Sequence, residues 1–141
     1  MKKDDVKYGV YVQTLREELV PAMGCTEPIA LAYAAAKARE VLGCMPDRVL
    51  IGASGSIIKN VKSVIFPNTD HLKGIPAAAT AGIIAGKAEN KLECIAVVSK
   101  EEIGKMREFL ERVPITVEHV DTGVTFEIVV TVYSGESYAK V

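Results

Sequence analysis

Gly74, Ala78, Gly82 and Gly86 recur every four residues, and this pattern limits the fold more than any other feature of the sequence. Residues four apart lie on one side of an α-helix, so one side of "IPAAATAGIIAG" (75–86), or of its lead-in, is small and smooth. Such a side serves either close packing against another helix or a bare wall beside a ligand. The segment "TEPIALAYAAAKA" (26–38) is similarly rich in alanine. Neighbours can approach its backbone closely, which predicts a central helix. The fold must therefore be built around helices with little side-chain bulk.

The chain is long enough for one domain with its own core, at 141 residues. A net charge of −1 provides no basic face for nucleic acid. The start "MKKDDVKYGV" is charged and then amphipathic, unlike a signal peptide, and the run at 75–86 is too short to span a bilayer. The expectation is a cytoplasmic protein with neither membrane nor nucleic-acid partners. Cys25, Cys44 and Cys94 are odd in number and lack CxxC spacing, which argues against a disulfide framework or a self-contained zinc site.

Local patterns predict the remaining elements. Val6, Val10, Leu15 and Leu19 suggest an amphipathic helix over 6–20, stopped before Pro21. Thr26 is the expected N-cap of the next helix, and Gly43 its stop. "DRVLIGAS" (47–54) reads as a buried strand, "GSIIKN" as a short helical turn and "VKSVIFP" (61–67) as a second strand. Pro76 opens a helix to about Lys87, and Ser99 with Glu102 forms a capping box for another through about Arg112. "LECIAVV" is ambiguous between helix and strand. Strands follow at 115–120 and 125–133, the second with Phe126, Ile128, Val130 and Val132 on one face. "YAKV" starts a further strand at the end of the chain, an edge strand or the mark of a cut. The predicted class is α+β, with helices packed on a mixed sheet and a C-terminal antiparallel meander.

Two stretches carry chemistry. Cys25 stands just before a helix, where the positive end of the helix dipole is expected to lower a thiol's pKa and ready it for a soft metal, an iron–sulfur cluster or an electrophile. The alternative is a small buried filler. "SGSIIKN" (54–60) offers Ser54, Ser56, Lys59 and Asn60 around a strand-to-helix turn, suited to a carboxylate or phosphate. A capped turn with a surface lysine fits equally well, and the glycine spacing of a P-loop is missing. Lys73 and Gly74 follow in "HLKG". His71 reads as solvated, His119 as a sheet residue, and Cys44 and Cys94 as structural. A Cys25–His71 nucleophilic pair lacks an orienting third residue.

Taken in order, "GCTEPIALAYAAAKA", "SGSIIKNVKSV" and "HLKGIPAAATAG" resemble the N-terminal part of the L-cysteine desulfidase family (YhaM-like, UPF0597). That family is related to the alpha chain of iron–sulfur L-serine dehydratases. The likeness covers most of the chain and is strongest over 21–87. It implies a lyase with a [4Fe–4S] cluster and no pyridoxal phosphate, converting L-cysteine or L-serine to pyruvate and ammonia with release of sulfide or water. By the same likeness Cys25 matches a cluster ligand, while Cys44 and Cys94 match no motif. Ser54, Ser56, Lys59 and Asn60 fall near the substrate carboxylate, with Lys73 and Gly74 at the rim of the same pocket. No residue is assigned as general base. Family members are roughly three times longer, so 1–141 is expected to be one N-terminal domain, metal-free and inactive by itself. Its expected partners are a small amino-acid substrate and the C-terminal portion of the same enzyme, with self-association left open. The competing reading is a stand-alone module for a small anion or amino acid.

Overall fold

Alanine loses no side-chain entropy in a helix and leaves the backbone accessible, so two alanine-rich helices can pack unusually closely. The computed structural model, which describes residues 2–22, 24–66 and 69–141, shows this pairing. Helix α2 (Thr26–Leu42) lies against helix α4 (Gly74–Ala85). A Cβ placed on Gly82 would sit 2.0 Å from the Ala32 carbonyl oxygen, and one on Gly86 would sit 2.7 Å from Cβ of Ala36. The small side of α4 is therefore a helix-packing surface rather than a ligand wall. Gly43 ends α2 in the left-handed conformation, with φ +78°.

Between α2 and α4 come strand β1 (Arg48–Ala53) and the short helix α3 (Gly55–Val61). After α4 comes a 3-10 turn at Ala88–Glu93, and the rest of the ambiguous stretch, 94–98, is neither helix nor strand, with Cys94 and Ile95 entering the core. Helix α5 (Lys100–Arg112) begins with the expected capping box, as Ser99 and Glu102 satisfy each other's backbone N–H groups. It packs on α4 and buries Met106 and Phe109.

Strands β2 (Ile115–His119), β3 (Ile128–Ser134) and β4 (Ser137–Lys140) join β1 in one mixed sheet of order β2-β1-β3-β4. β1 runs parallel to β2 and antiparallel to β3, and β3–β4 is an antiparallel hairpin. A parallel pair requires a long crossover, which α3, α4 and α5 provide. Val49, Ile51 and Ala53 alternate toward the helices, joined by Val130, Val132 and Ala139. The protein is thus α+β, as its patterns predict.

Four local expectations differ from the structure. Cys25, not Thr26, occupies the N-cap of α2, and Thr26 is the first helical residue. The stretch 61–66 is not a strand: Val61 completes α3, and Ile65 makes only an isolated bridge to Lys73. Pro67, at the end of that expected strand, lies outside the described residues. Phe126 precedes β3 and is exposed. Helix α1 (Val6–Glu18) forms, but none of its residues is buried. Val6 and Leu15 are about two and a half turns apart and so lie on opposite sides of it. Among the described residues, no helix is long and apolar enough to cross a membrane.

Candidate functional site

Gly24, at φ +91°, turns the chain so that Cys25 enters the N-cap of α2 with an extended backbone. Glu27 then falls in the first turn, where the helix dipole favours a carboxylate. Its Oε2 accepts hydrogen bonds from Cys25 Sγ at 3.0 Å and Thr26 Oγ1 at 3.4 Å, while Oε1 accepts from Asn60 Nδ2 at 3.2 Å. Glu27 therefore joins the "GCTEP" motif to the "SGSIIKN" turn, which is the central feature of the site.

The electrostatics reverse one expectation. The Cys25 thiol is pushed up, not down, first by its hydrogen bond to the Glu27 carboxylate and then by partial burial, with Glu27's charge adding to both. The backbone N–H of Glu27 acts in the opposite direction but does not prevail. The Glu27 carboxyl is correspondingly lowered, chiefly by the Cys25 bond, then by its own backbone N–H and by Asn60. A hydrogen bond to a neighbouring carboxylate, which favours the protonated thiol, raises it even at a helix N-terminus.

Ser54 and Ser56 are used differently from expectation. Ser54 Oγ donates to the Thr125 carbonyl at 2.7 Å and accepts from the Glu127 N–H at 3.3 Å; Ser56 Oγ donates to the same Thr125 carbonyl. Both hydroxyls thus hold the loop between β2 and β3. With Gly55, His119, Asp121 and Thr125 they line a shallow depression of about 220 Å³. His119 is a site neighbour that sequence reasoning placed only in the sheet. Parallel register pairs it with Ala53, and a Cβ on Gly55 would lie 3.4 Å from its Nε2. No local pattern could have revealed this, because it depends on β1 and β2 ending side by side.

Ser56 and Asn60 are four residues apart and share one side of α3. Lys59 is exposed on the last turn of α3, and Lys73 is the N-cap of α4. Neither lysine side chain has a hydrogen bond or ion pair among the described residues. Gly74 has φ +83°, and its N–H donates to the Val64 carbonyl at 3.0 Å, so "KG" anchors the chain leaving α3. His71 is exposed at φ +67°, beside Asp70, which pairs with Arg107.

The donor set bears on whether a metal cluster fits. Cys44 lies at the far end of α2, about 25 Å from Cys25 at 1.5 Å per residue. Cys94 is buried and its thiol is pushed up to about 11 by that burial. Among the described residues, no three His, Cys, Asp or Glu side chains converge on one point. Among the described residues the chain can therefore offer one cluster a single thiol at this site, Cys25, which donates its hydrogen bond to the Glu27 carboxylate, while Cys44 is exposed elsewhere.

No family model matches the sequence, and no solved structure matches it. Related proteins do. The chain is similar to a UPF0597 protein of Desulfitobacterium hafniense strain Y51, with 51% identity over 99% of the chain and 33% of that protein. A UPF0597 protein of Treponema denticola is 48% identical over 93% of the chain and 30% of its own length. One from Lachnoclostridium phytofermentans is 45% identical over 95% of the chain and 32% of its own length. The chain spans about a third of the length of these relatives. Matches of this extent and identity make the chain similar to about one third of the length of UPF0597 proteins and support that family for it.

Proposed function

We propose that this chain is the N-terminal domain of an iron–sulfur-dependent, pyridoxal-phosphate-independent amino-acid lyase of the L-cysteine desulfidase or L-serine dehydratase type. The observation that carries the reading is the Cys25–Glu27–Asn60 chain of hydrogen bonds, which places the candidate ligand beside the candidate substrate turn. In the complete enzyme a [4Fe–4S] cluster with an open iron would act as a Lewis acid toward the leaving group. This chain's part is narrower. Cys25 would supply one thiolate, its proton passing to solvent, and Glu27 holds Asn60 in position beside it. The cationic heads of Lys59 and Lys73, which have no partner among the described residues, could meet a carboxylate beside Asn60, whose amide is held by Glu27. Ser54 and Ser56 shape the turn and hold it rigid, and Gly74 fixes its far end. The remaining ligands come from the C-terminal portion, so the isolated domain is inactive. A cytoplasmic location suits such a cluster and its free thiols.

The alternative, a stand-alone module for a small anion or amino acid, rests on the depression beside Ser54, Ser56 and His119. Both hydroxyls there are already engaged with Thr125, which leaves the depression few side-chain donors for an anion.

Anaerobic reconstitution with iron and sulfide tests the proposal, using the chain alone and the chain co-expressed with the remaining two thirds of a UPF0597 relative. Iron content and sulfide release from L-cysteine are measured together. Cluster and activity only in the co-expressed sample, both lost in Cys25→Ala, are expected. Amino-acid binding by the isolated chain that survives Cys25→Ala, without cluster in either sample, would establish the module instead.

A further inference from the structure

We propose that helix α1 is the docking element for the part of a UPF0597 polypeptide that lies outside these 141 residues. The proposal rests on the reading of this chain as one part of a longer protein. Helix α1 has no buried residue, and only Tyr8 and Val12 are half covered. Its apolar side chains nevertheless occupy two sides. Tyr8, Tyr11, Val12 and Leu15 form one stripe, while Val6 and Val10 lie about half a turn away on the other side, which they share with the hydrogen-bonded pair Gln13 and Glu17. Val6 is 85% exposed, Val10 58% and Leu15 54%. A 13-residue helix that contains Gly9 and buries nothing is marginal in water, so its stability must come from cover.

The geometry also separates the occupants. A second copy related by a two-fold axis would cover one patch of the helix and leave the opposite side wet. A helix with apolar side chains on both sides fits contact on more than one side, as a larger protein provides, with Gln13 and Glu17 left at the rim. The relatives contain the material for it, since about two thirds of their length lies beyond the match. The domain itself does not need the helix: its core draws on α2, α4, α5 and the sheet.

Hydrogen exchange on two intact proteins tests this. In the full-length Desulfitobacterium hafniense relative, amides of the segment matching 6–18 should exchange at least about a hundredfold more slowly than in the 141-residue chain, at every protein concentration. Equal rates in the two proteins would overturn the proposal. So would protection that falls on dilution, which marks a second copy as the occupant. Leu15→Asp in the 141-residue chain should leave its Tm unchanged; a fall of more than a few degrees would show that the domain already uses this face. Iron and sulfide are assayed on the same full-length sample. Slow exchange without a cluster removes the lyase reading and leaves the docking helix standing, and fast exchange with a full cluster does the reverse.

Discussion

Glu27 accepts hydrogen bonds from Cys25 and from Asn60, and the first of these keeps the thiol protonated above its ordinary pKa. Replacing Glu27 with alanine removes the acceptor and its charge together. Cys25 should then be alkylated by iodoacetamide roughly two- to tenfold faster at pH 8, because the thiolate is the reacting species. The difference should vanish at high pH, where both proteins carry the thiolate. An unchanged rate at pH 8, followed by mass spectrometry of the Cys25 peptide, would remove Glu27 from control of the thiol. Cys94 is the internal reference: buried and pushed up to about 11, it should stay unlabelled until the protein unfolds. The sequence alone singles out Cys25 and Asn60 through their motifs. It does not single out Glu27, which reads only as a residue suited to a helix's first turn. Its contact with Asn60 crosses 33 positions of sequence and exists only after α2 and α3 meet.

At the scale of elements, two glycines in helices should respond oppositely to alanine. Gly82→Ala puts a methyl 2.0 Å from the Ala32 carbonyl oxygen, so α2 and α4 must separate, at a cost of about 3 kcal/mol. Gly104→Ala in α5 meets nothing within 4 Å and should stabilise by about 0.5–1 kcal/mol through helix propensity alone. Urea denaturation of both variants checks the pair, and similar effects would show that the α2–α4 contact is not tight. The α5 cap adds a pH dependence. Bonds from Ser99 hold the Glu102 carboxyl below its usual range. A depressed carboxylate contributes stability above its unfolded pKa, and the contribution is lost as pH falls through the folded value. Ser99→Ala removes the hydroxyl's two bonds but keeps the backbone N–H bond to Glu102, the larger cause, so it should cost about 1 kcal/mol near neutrality and only slightly less in acid, seen in the urea midpoints. These features are readable from sequence because a cap or a small-residue stripe is decided within four or five residues. The stretch 61–67 misleads for the same reason. Val61 and Phe66 are apolar because they enter the core from a helix end and a turn, and among the described residues the pairing there, flanked by the Phe66 N–H bond to the Leu72 carbonyl, is a single isolated bridge from Ile65 to Lys73.

For the whole molecule, the decisive event is the placement of β1 between β2 and β3. Composition and periodicity foresee strands and helices of the right kinds, yet nothing local states that residues 48–53 must separate 115–119 from 128–134. Because of that placement, the loop between β2 and β3 must cross the end of β1, and it is tied down there by Ser54 and Ser56. The Ser54 N–H donates to the Glu127 carbonyl at 3.0 Å, and the Glu127 N–H returns a bond to Ser54 Oγ at 3.3 Å. Ser54 is only 4% exposed, so water cannot readily replace its hydroxyl. Ser54→Ala should thus cost about 1–3 kcal/mol, the usual penalty for leaving buried polar groups unsatisfied. Ser56 is more open, and Ser56→Ala should cost less than about 1 kcal/mol. Denaturation midpoints of the two single variants and the double variant would measure the tie directly. Coupling between them is expected, because both hydroxyls serve the same Thr125 carbonyl. If neither substitution moved the midpoint, the hydroxyls would have no structural duty, and the depression they line with His119 would become the better candidate for a ligand.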